Sequence, residues 1–430
     1  MEYRWRLSKG MILSGFLKNM QPLNFIKDYY GEKFGFYFAW LIHYTGQLIP
    51  MAIIGTIMGI GILIERLSDG VPANLLLSSP MIIVYAMLTT IWVTLFHESW
   101  KRKQNTIGNE WLVRNFQDVT TERTEFRHEV TIDPDTQQQW KVSVRNSYVW
   151  QLALGLPISI LFMCLVVGAQ ILLQYANWEL GTTRDDGTKG KVPAYWRYLP
   201  GVINTVLIVI FGKTYVWLSK KLVDAENHRY ISGYENSMIN KIYMFQFINT
   251  YIGNFVAIVY NQNFYALQLN LVIVMVGKQV VLNLIEYFSE RYFVGKKLRA
   301  VEELFAERIQ GATLAGDKVA EADLKMHCEI QKQLIMSPPA NSLVFFYNEA
   351  VIQLGFIAFF AVAFPFAPLF SFLTNLLEIM IKLQHISLYG RRNNAEGTSG
   401  IGNWMSIMGF ISYFAIPMNM LILLLCRFPS

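Results

Sequence analysis

Nine stretches of this chain are apolar for long enough to cross a bilayer, and shorter polar segments separate them. A spanning helix needs roughly 20 mostly apolar residues, and runs near 34–64, 81–99, 148–175, 198–218, 241–260, 264–288, 345–364, 366–388 and 401–426 qualify. Lipid offers the backbone no hydrogen-bond partners, so each run is expected to be helical. None is placed like a cleaved signal peptide. The pattern predicts an all-α, polytopic integral membrane helical bundle of about nine transmembrane helices. Residues 1–33 form a cytosolic N-terminal segment, 34–426 the transmembrane domain and 427–430 a tail. Two cytosolic connectors, about 100–147 and 289–344, read as charged and helix-prone, too short to be domains of their own.

Composition strengthens the membrane reading. Hydrophobic residues make up 53% of the chain and charged ones only 16%, and the mean hydropathy is +0.29 although it averages over polar loops. Basic residues gather on one side of the spans, as the positive-inside bias requires: Arg4, Arg6, Lys9, Lys18, Lys27 and Lys33 before the first run, then Lys101–Lys103, Lys220, Lys221, Lys296, Lys297, Arg299, Arg391 and Arg392. The other side receives chiefly Arg66, Arg184, Lys189, Lys191 and Arg197. That places the N-terminus on the cytosolic side. The net charge of +6 is then topology and anionic-lipid contact rather than nucleic-acid binding. Cys164, Cys328 and Cys426 offer no disulfide framework in the outer loops. His43, His97 and His385 lack a second ligand at metal spacing, and no phosphate loop, nucleophile elbow or zinc motif is present. An enzyme is not expected.

Polar residues inside the apolar runs carry the candidate chemistry, because ionisable groups at membrane depth persist mainly where they face a cavity, a partner or an ion. Gly277-Lys-Gln-Val-Val-Leu-Asn-Leu-Ile-Glu286 holds a lysine, two amides and a carboxylate at the inner end of the sixth run. In the fifth run Gln246, Asn249, Thr250 and Asn254 recur at three- and four-residue spacing and share one helical face. The fourth run adds Asn204, Thr205 and Lys213, and the sixth adds Asn270, Lys278, Gln279 and Asn283. Two readings stay open: a polar pathway for lipid headgroups or anions, or interhelical hydrogen bonds that hold a bundle together.

Five stretches in order resemble the anoctamin family of calcium-activated chloride channels and phospholipid scramblases. They are Ile26-Lys-Asp-Tyr-Tyr-Gly-Glu-Lys-Phe-Gly-Phe-Tyr-Phe-Ala-Trp40, Glu98-Ser-Trp-Lys-Arg-Lys-Gln104, Phe245-Gln-Phe-Ile-Asn-Thr-Tyr251, Gly277-Lys-Gln279, and Ile352-Gln-Leu-Gly-Phe356 continuing through Phe364-Pro-Phe-Ala-Pro-Leu369 to Asn375-Leu-Leu-Glu-Ile379. The resemblance covers most of the chain from about residue 26. It implies a bundle of ten helices per subunit, usually dimeric, with a membrane-exposed groove lined by helices three to seven. On this reading the family's N-terminal cytosolic domain and its last helix are lacking. That leaves open whether subunits pair as homodimers or join a larger membrane complex.

The same resemblance implies a calcium site between helices six, seven and eight, and this chain departs from it. Asn283 and Glu286 supply an amide and a carboxylate one turn apart, with the acid one residue early. Glu349 matches the second acid of the seventh helix, but Phe346 stands at the first acid's position. Glu378 matches the first acid of the eighth helix, whereas Lys382 replaces the second. A cation there repels a divalent ion, and two opposite charges ~4 Å apart attract by about 4 kcal/mol at an effective dielectric of ~20. The expectation is a permanent ion cluster of Glu286, Glu349, Glu378 and Lys382, a degenerate site with weak or absent calcium binding. The expected function is passive phospholipid scrambling or anion conduction along the groove, with membrane lipids bound, chloride as a candidate permeant and no cofactor. The alternative is a transport-inactive structural subunit or tether of a larger membrane assembly.

Overall fold

The computed structural model describes residues 21–69, 80–114, 116, 122–132, 139–144, 147–182, 199–256, 258, 264–336, 342–392 and 395–427. In chain order these form α1 (Gln21–Tyr30), α2 (Glu32–Asp69), α3 (Pro80–Glu110), the hairpin strands β1 (His128–Ile132) and β2 (Gln139–Ser143), α4 (Leu156–Thr182), α5 (Leu199–Ala225) and α6 (Ile231–Val256). There follow α7 (Phe264–Val272), α8 (Gln279–Ser289), α9 (Gly295–Leu314), α10 (Lys318–Ile335), α11 (Ser342–Phe360), α12 (Ala367–Gln384) and α13 (Trp404–Arg427). The protein is an all-α polytopic membrane bundle. Among the described residues six helical stretches are long and apolar enough to cross a membrane: Glu32–Glu65, Met81–Glu110, Ala153–Leu173, Val202–Ala225, Leu343–Phe360 and Trp404–Leu424. The other three expected runs are helical as well. They are the ones richest in buried amides and charges, and the sixth is divided into α7 and α8 by π-helical Ile273–Lys278.

Apolar side chains stand outward on the helix surfaces, as a bilayer environment requires. Ile53, Ile57, Ile60 and Ile64 of α2 are all exposed, and their four- and three-residue spacing makes them one stripe. Lipid tails are as apolar as leucine, so such a stripe gains nothing by turning inward, and packing between spans must be specified by shape and polar bonds instead.

The chain divides into two units. The first gathers Met1–Leu48, Lys278–Leu343 and Ser371–Thr398. Gly31 turns the chain from α1 into α2 at φ +94°, and a Cβ there would lie 2.8 Å from the Glu396 backbone nitrogen, so both conformation and space require glycine. Nearby, the Tyr30 hydroxyl donates to the Ile386 carbonyl at 2.9 Å and Lys33 pairs with Glu396 at 2.5 Å. The connector after α8 is a helical hairpin. Asp317 caps α10 by accepting from the Val319 and Ala320 amides, each at 3.1 Å. At the other end Arg391 donates to the Gln333 and Leu334 carbonyls, both at 2.8 Å, placing a cation at the C-terminal end of α10.

The second unit comprises Ile49–Gly277, Val344–Phe370 and Ser399–Ser430. Within it α4, α5 and α6 pack around Val166, Tyr215 and Phe245, all fully buried. The Tyr215 and Phe245 rings stack at 4.0 Å, and the Tyr215 hydroxyl donates to Ser159 at 2.9 Å. A buried tyrosine needs such a partner.

One connector departs from expectation. Residues 100–147 were expected to be helix-prone, yet beyond α3 they form the antiparallel β1–β2 hairpin, His128 opposite Ser143 and Ile132 opposite Gln139. Its β-branched Val130, Thr131, Ile132 and Val142 favour a pleated backbone, but the strands are too short for alternation to announce them. Asn227, in left-handed conformation at φ +53°, fixes the hairpin to the α5–α6 turn. Its Oδ1 accepts the Arg127 amide and its Nδ2 donates to the Arg127 carbonyl and Ser143 Oγ, each at 2.9 Å. Charged groups anchor the hairpin as well: Glu122 accepts from Lys141 and Arg229, and their hydrogen bonds hold its carboxyl down at about 2.

Candidate functional site

Polar side chains gather in one cluster in the first unit and two in the second. In the first unit the α12 positions Ser371, Asn375, Glu378 and Lys382 recur every three or four residues, Thr374 stands beside Asn375, and all five are buried. The Lys382 ammonium, 3% exposed, donates to both carboxylate oxygens of Glu286 on α8, at 2.9 and 2.8 Å. Glu286 keeps some solvent contact at 30% exposure. Asn283, one turn before Glu286, is buried, and so is Glu378, one turn before Lys382. Neither the Oδ1 of Asn283 nor either amide atom of Asn375 has a hydrogen-bond partner among the described residues. Glu349 belongs to the second unit, half-buried on α11.

The second unit holds a string of four amides. Gln170 of α4 donates to Asn204 of α5 at 2.8 Å, Asn204 donates to Asn270 of α7 at 3.2 Å, and Asn270 donates to Asn254 of α6. Four helices are joined by groups at most 9% exposed. Head-to-tail order leaves an acceptor at one end, Gln170 Oε1, and a donor at the other, Asn254 Nδ2. Gly253 permits the approach, since a Cβ there would meet Gln170 Oε1 at 2.9 Å. Two further α6 residues are used in packing. Asn249 donates to the Ile208 carbonyl of α5 at 2.9 Å, and half-buried Gln246 lies against Gly212. Thr250 is buried and Thr205 half-buried.

Lys213 does not join them. At ~100° per residue, nine positions put it on the side of α5 opposite Asn204, and it is exposed. Lys278 and Gln279 stand where the π-helical segment passes into α8, and their side chains lie outside the described residues.

A third polar group sits at the α5–α6 turn. Glu226, 1% exposed, meets Lys241 at 2.6 Å, Ser237 at 2.7 Å and His228 at 2.9 Å. Burial pushes its carboxyl up, but the hydrogen bonds from His228, Lys241 and Ser237, with the charge of Lys241, outweigh that and hold it below the usual carboxylate range. Sequence reasoning missed this group and Gln170. It also missed Ser371, Thr374 and Asn375, although their spacing with Glu378 and Lys382 was there to be read.

Residues 26–429 match the family model described as "Anoctamin: Calcium-activated chloride channel". The chain belongs to the anoctamin family. It is 26% identical over 472 residues to Anoctamin-7 of Mus musculus, covering 94% of this chain and 52% of that protein. Against Anoctamin-10 of Mus musculus it is 25% identical over 419 residues, covering 94% and 58%. Against Anoctamin-8 of Homo sapiens it is 30% identical over 293 residues, covering 66% and 22%. The chain thus spans about half the length of the first two relatives.

Calcium, which the family description names, takes six to eight oxygen ligands, several of them carboxylates. The donors in the α8–α12 cluster do not fit it. Both oxygens of Glu286 already accept from the Lys382 ammonium. Among the described residues no three acid, histidine or cysteine side chains group to hold a metal.

Proposed function

We propose that the chain moves phospholipid headgroups or small anions passively across a bilayer, and that calcium does not gate it. The observation carrying this reading is the Glu286–Lys382 ion pair, in which a fixed ammonium stands within the α8–α12 cluster and neutralises the carboxylate a divalent ion would need. An internal cation cannot leave, so helices it joins stay joined at any calcium concentration. The family's description as a channel supports transport rather than catalysis. Membrane lipids are the expected partners, chloride a candidate permeant, and the N-terminus is assigned to the cytosolic side. In purified, reconstituted protein, fluorescent-lipid scrambling and halide flux should proceed at equal, nonzero rates with micromolar calcium and with chelator. A rate that rises with calcium and is abolished by Glu349→Gln refutes the reading.

A second reading is favoured by the amide string. Four helices tied by neutral hydrogen bonds suit a rigid scaffold, and on this reading the protein is a transport-inactive subunit or tether, as homodimer or within a larger membrane complex. Absence of flux in both conditions supports it.

A further inference from the structure

The helical connector after α8 leaves one of its faces uncovered. From Gln279 to Leu314 the chain is helical without a break, α8 passing through π-helical Glu290–Val294 into α9, so α9 extends the line of α8. Then α10 returns along α9, with the Lys332 ammonium 2.9 Å from Glu302. Cys328 and Lys332, the buried residues of α10, mark the side turned inward.

The opposite side of α10 is apolar and bare. Val319, Met326, Ile330 and Leu334 are 75%, 56%, 46% and 59% exposed, and with exposed Ala322 they follow one another at spacings of three and four. At ~100° per residue all five fall in an arc centred opposite Cys328, and at ~1.5 Å per residue the stripe runs about 22 Å. Charge flanks it and is unevenly engaged. Of the acids and lysines on α10, Glu321 pairs with Lys325 at 2.5 Å and Glu329 with Lys332 at 3.1 Å. That leaves Lys318 and Asp323, both exposed and without an ion pair among the described residues.

Lys318 precedes Val319, and Asp323 follows Ala322 five places on. In a parallel pair of helices such flanking positions meet across the seam. Two copies inserted in one membrane with the same orientation are related by an axis along the bilayer normal, and because α9 extends a spanning helix, that axis sets α10 parallel to its counterpart. A stripe meant for the bilayer surface needs its helix in the membrane plane instead. We propose that the stripe is a self-association surface, α10 packing in parallel against α10 of a second copy, Met326 against Met326 at the two-fold axis and Lys318 of each copy facing Asp323 of the other. The surface stands apart from the transport reading, since pairing is measured without flux.

The full chain in phosphatidylcholine vesicles tests it in two ways. On mild oxidation Met326→Cys should cross-link to a dimer, because a disulfide needs Cα atoms within about 7 Å, whereas Glu307→Cys, on the exposed side of α9, should not. Wild type, with its own three cysteines, gives the background. Energy transfer between donor- and acceptor-labelled copies should report about tenfold weaker pairing for Lys318→Asp and for Asp323→Lys, since each turns attractive contacts into repulsive ones. The swapped variant Lys318→Asp/Asp323→Lys should regain wild-type pairing, which separates lost complementarity from misfolding. A swap that fails to restore pairing overturns the surface, and so does a dimer indifferent to all these changes. A chain that stays monomeric at every density overturns it too, and leaves the stripe to lipid or to a different protein.

Discussion

The α8–α12 pair and the amide string satisfy polar groups at membrane depth in opposite ways. In the first, the Lys382 ammonium donates to both oxygens of the Glu286 carboxylate and joins two helices by a charge pair. In the second, neutral amides pass hydrogen bonds along four helices, and no single link carries much. Interhelical hydrogen bonds in membrane proteins average about 0.6 kcal/mol, whereas stranding one partner of a buried ion pair costs about 3–5 kcal/mol. A charge pair is therefore brittle and specific, and an amide string is tolerant and distributed.

The sharpest way to break this contrast is Lys382→Met, which leaves the Glu286 carboxylate without its ammonium. Because Glu286 is 30% exposed, the loss should fall at the lower end, about 3 kcal/mol, in thermal unfolding in detergent. The double change Lys382→Met/Glu286→Gln should recover most of it. Failure to recover would show that Lys382 acts elsewhere than on Glu286.

Glu226 separates charge from location, since its cluster lies in the same unit as the amides. Glu226→Gln should cost about 1.5–3 kcal/mol at neutral pH, the range for hydrogen bonds to a charged group. The sign with pH follows from a carboxyl held below its ordinary 4.5: its contribution is complete above that value and disappears as pH falls through the folded pKa. The wild-type advantage should accordingly shrink below about pH 4.5. An advantage that grows there would contradict the assignment.

The smallest effect is expected from Asn204→Leu. It removes two links of the string, and at about 0.6 kcal/mol each the loss should be about 1–2 kcal/mol once the stranded amides of Gln170 and Asn270 are included. A loss matching that of Lys382→Met would erase the distinction between the two clusters.

Much of the site was legible residue by residue. That Lys382 lies one turn from Glu378 followed from spacing, and that it stands where the family carries an acid followed from the resemblance; that its direct partner is Glu286, 96 positions away, followed from neither. Spacing put Asn249 and Asn254 on the polar side of α6, but their partners, a backbone carbonyl on α5 and an amide on α7, lie on other helices. Lys213 was legible in part: nine positions at ~100° per residue already set it opposite Asn204, and what spacing left open, which of the two sides is buried, the structure decides in favour of Asn204.

What the sequence determined by itself was the local account: where apolar runs are long enough to span, which residues share a face of each helix, and which family the chain belongs to. Tertiary structure decided which faces meet, how polar groups divide between an ion pair, an amide string and the Glu226 cluster, and that part of one connector is a hairpin. The physical reason is that helical periodicity fixes positions relative to a helix's own axis, whereas the rotation of that axis is set by contacts with distant segments. In a bilayer those contacts are chosen by shape and hydrogen bonding, because apolar surface has little preference between protein and lipid.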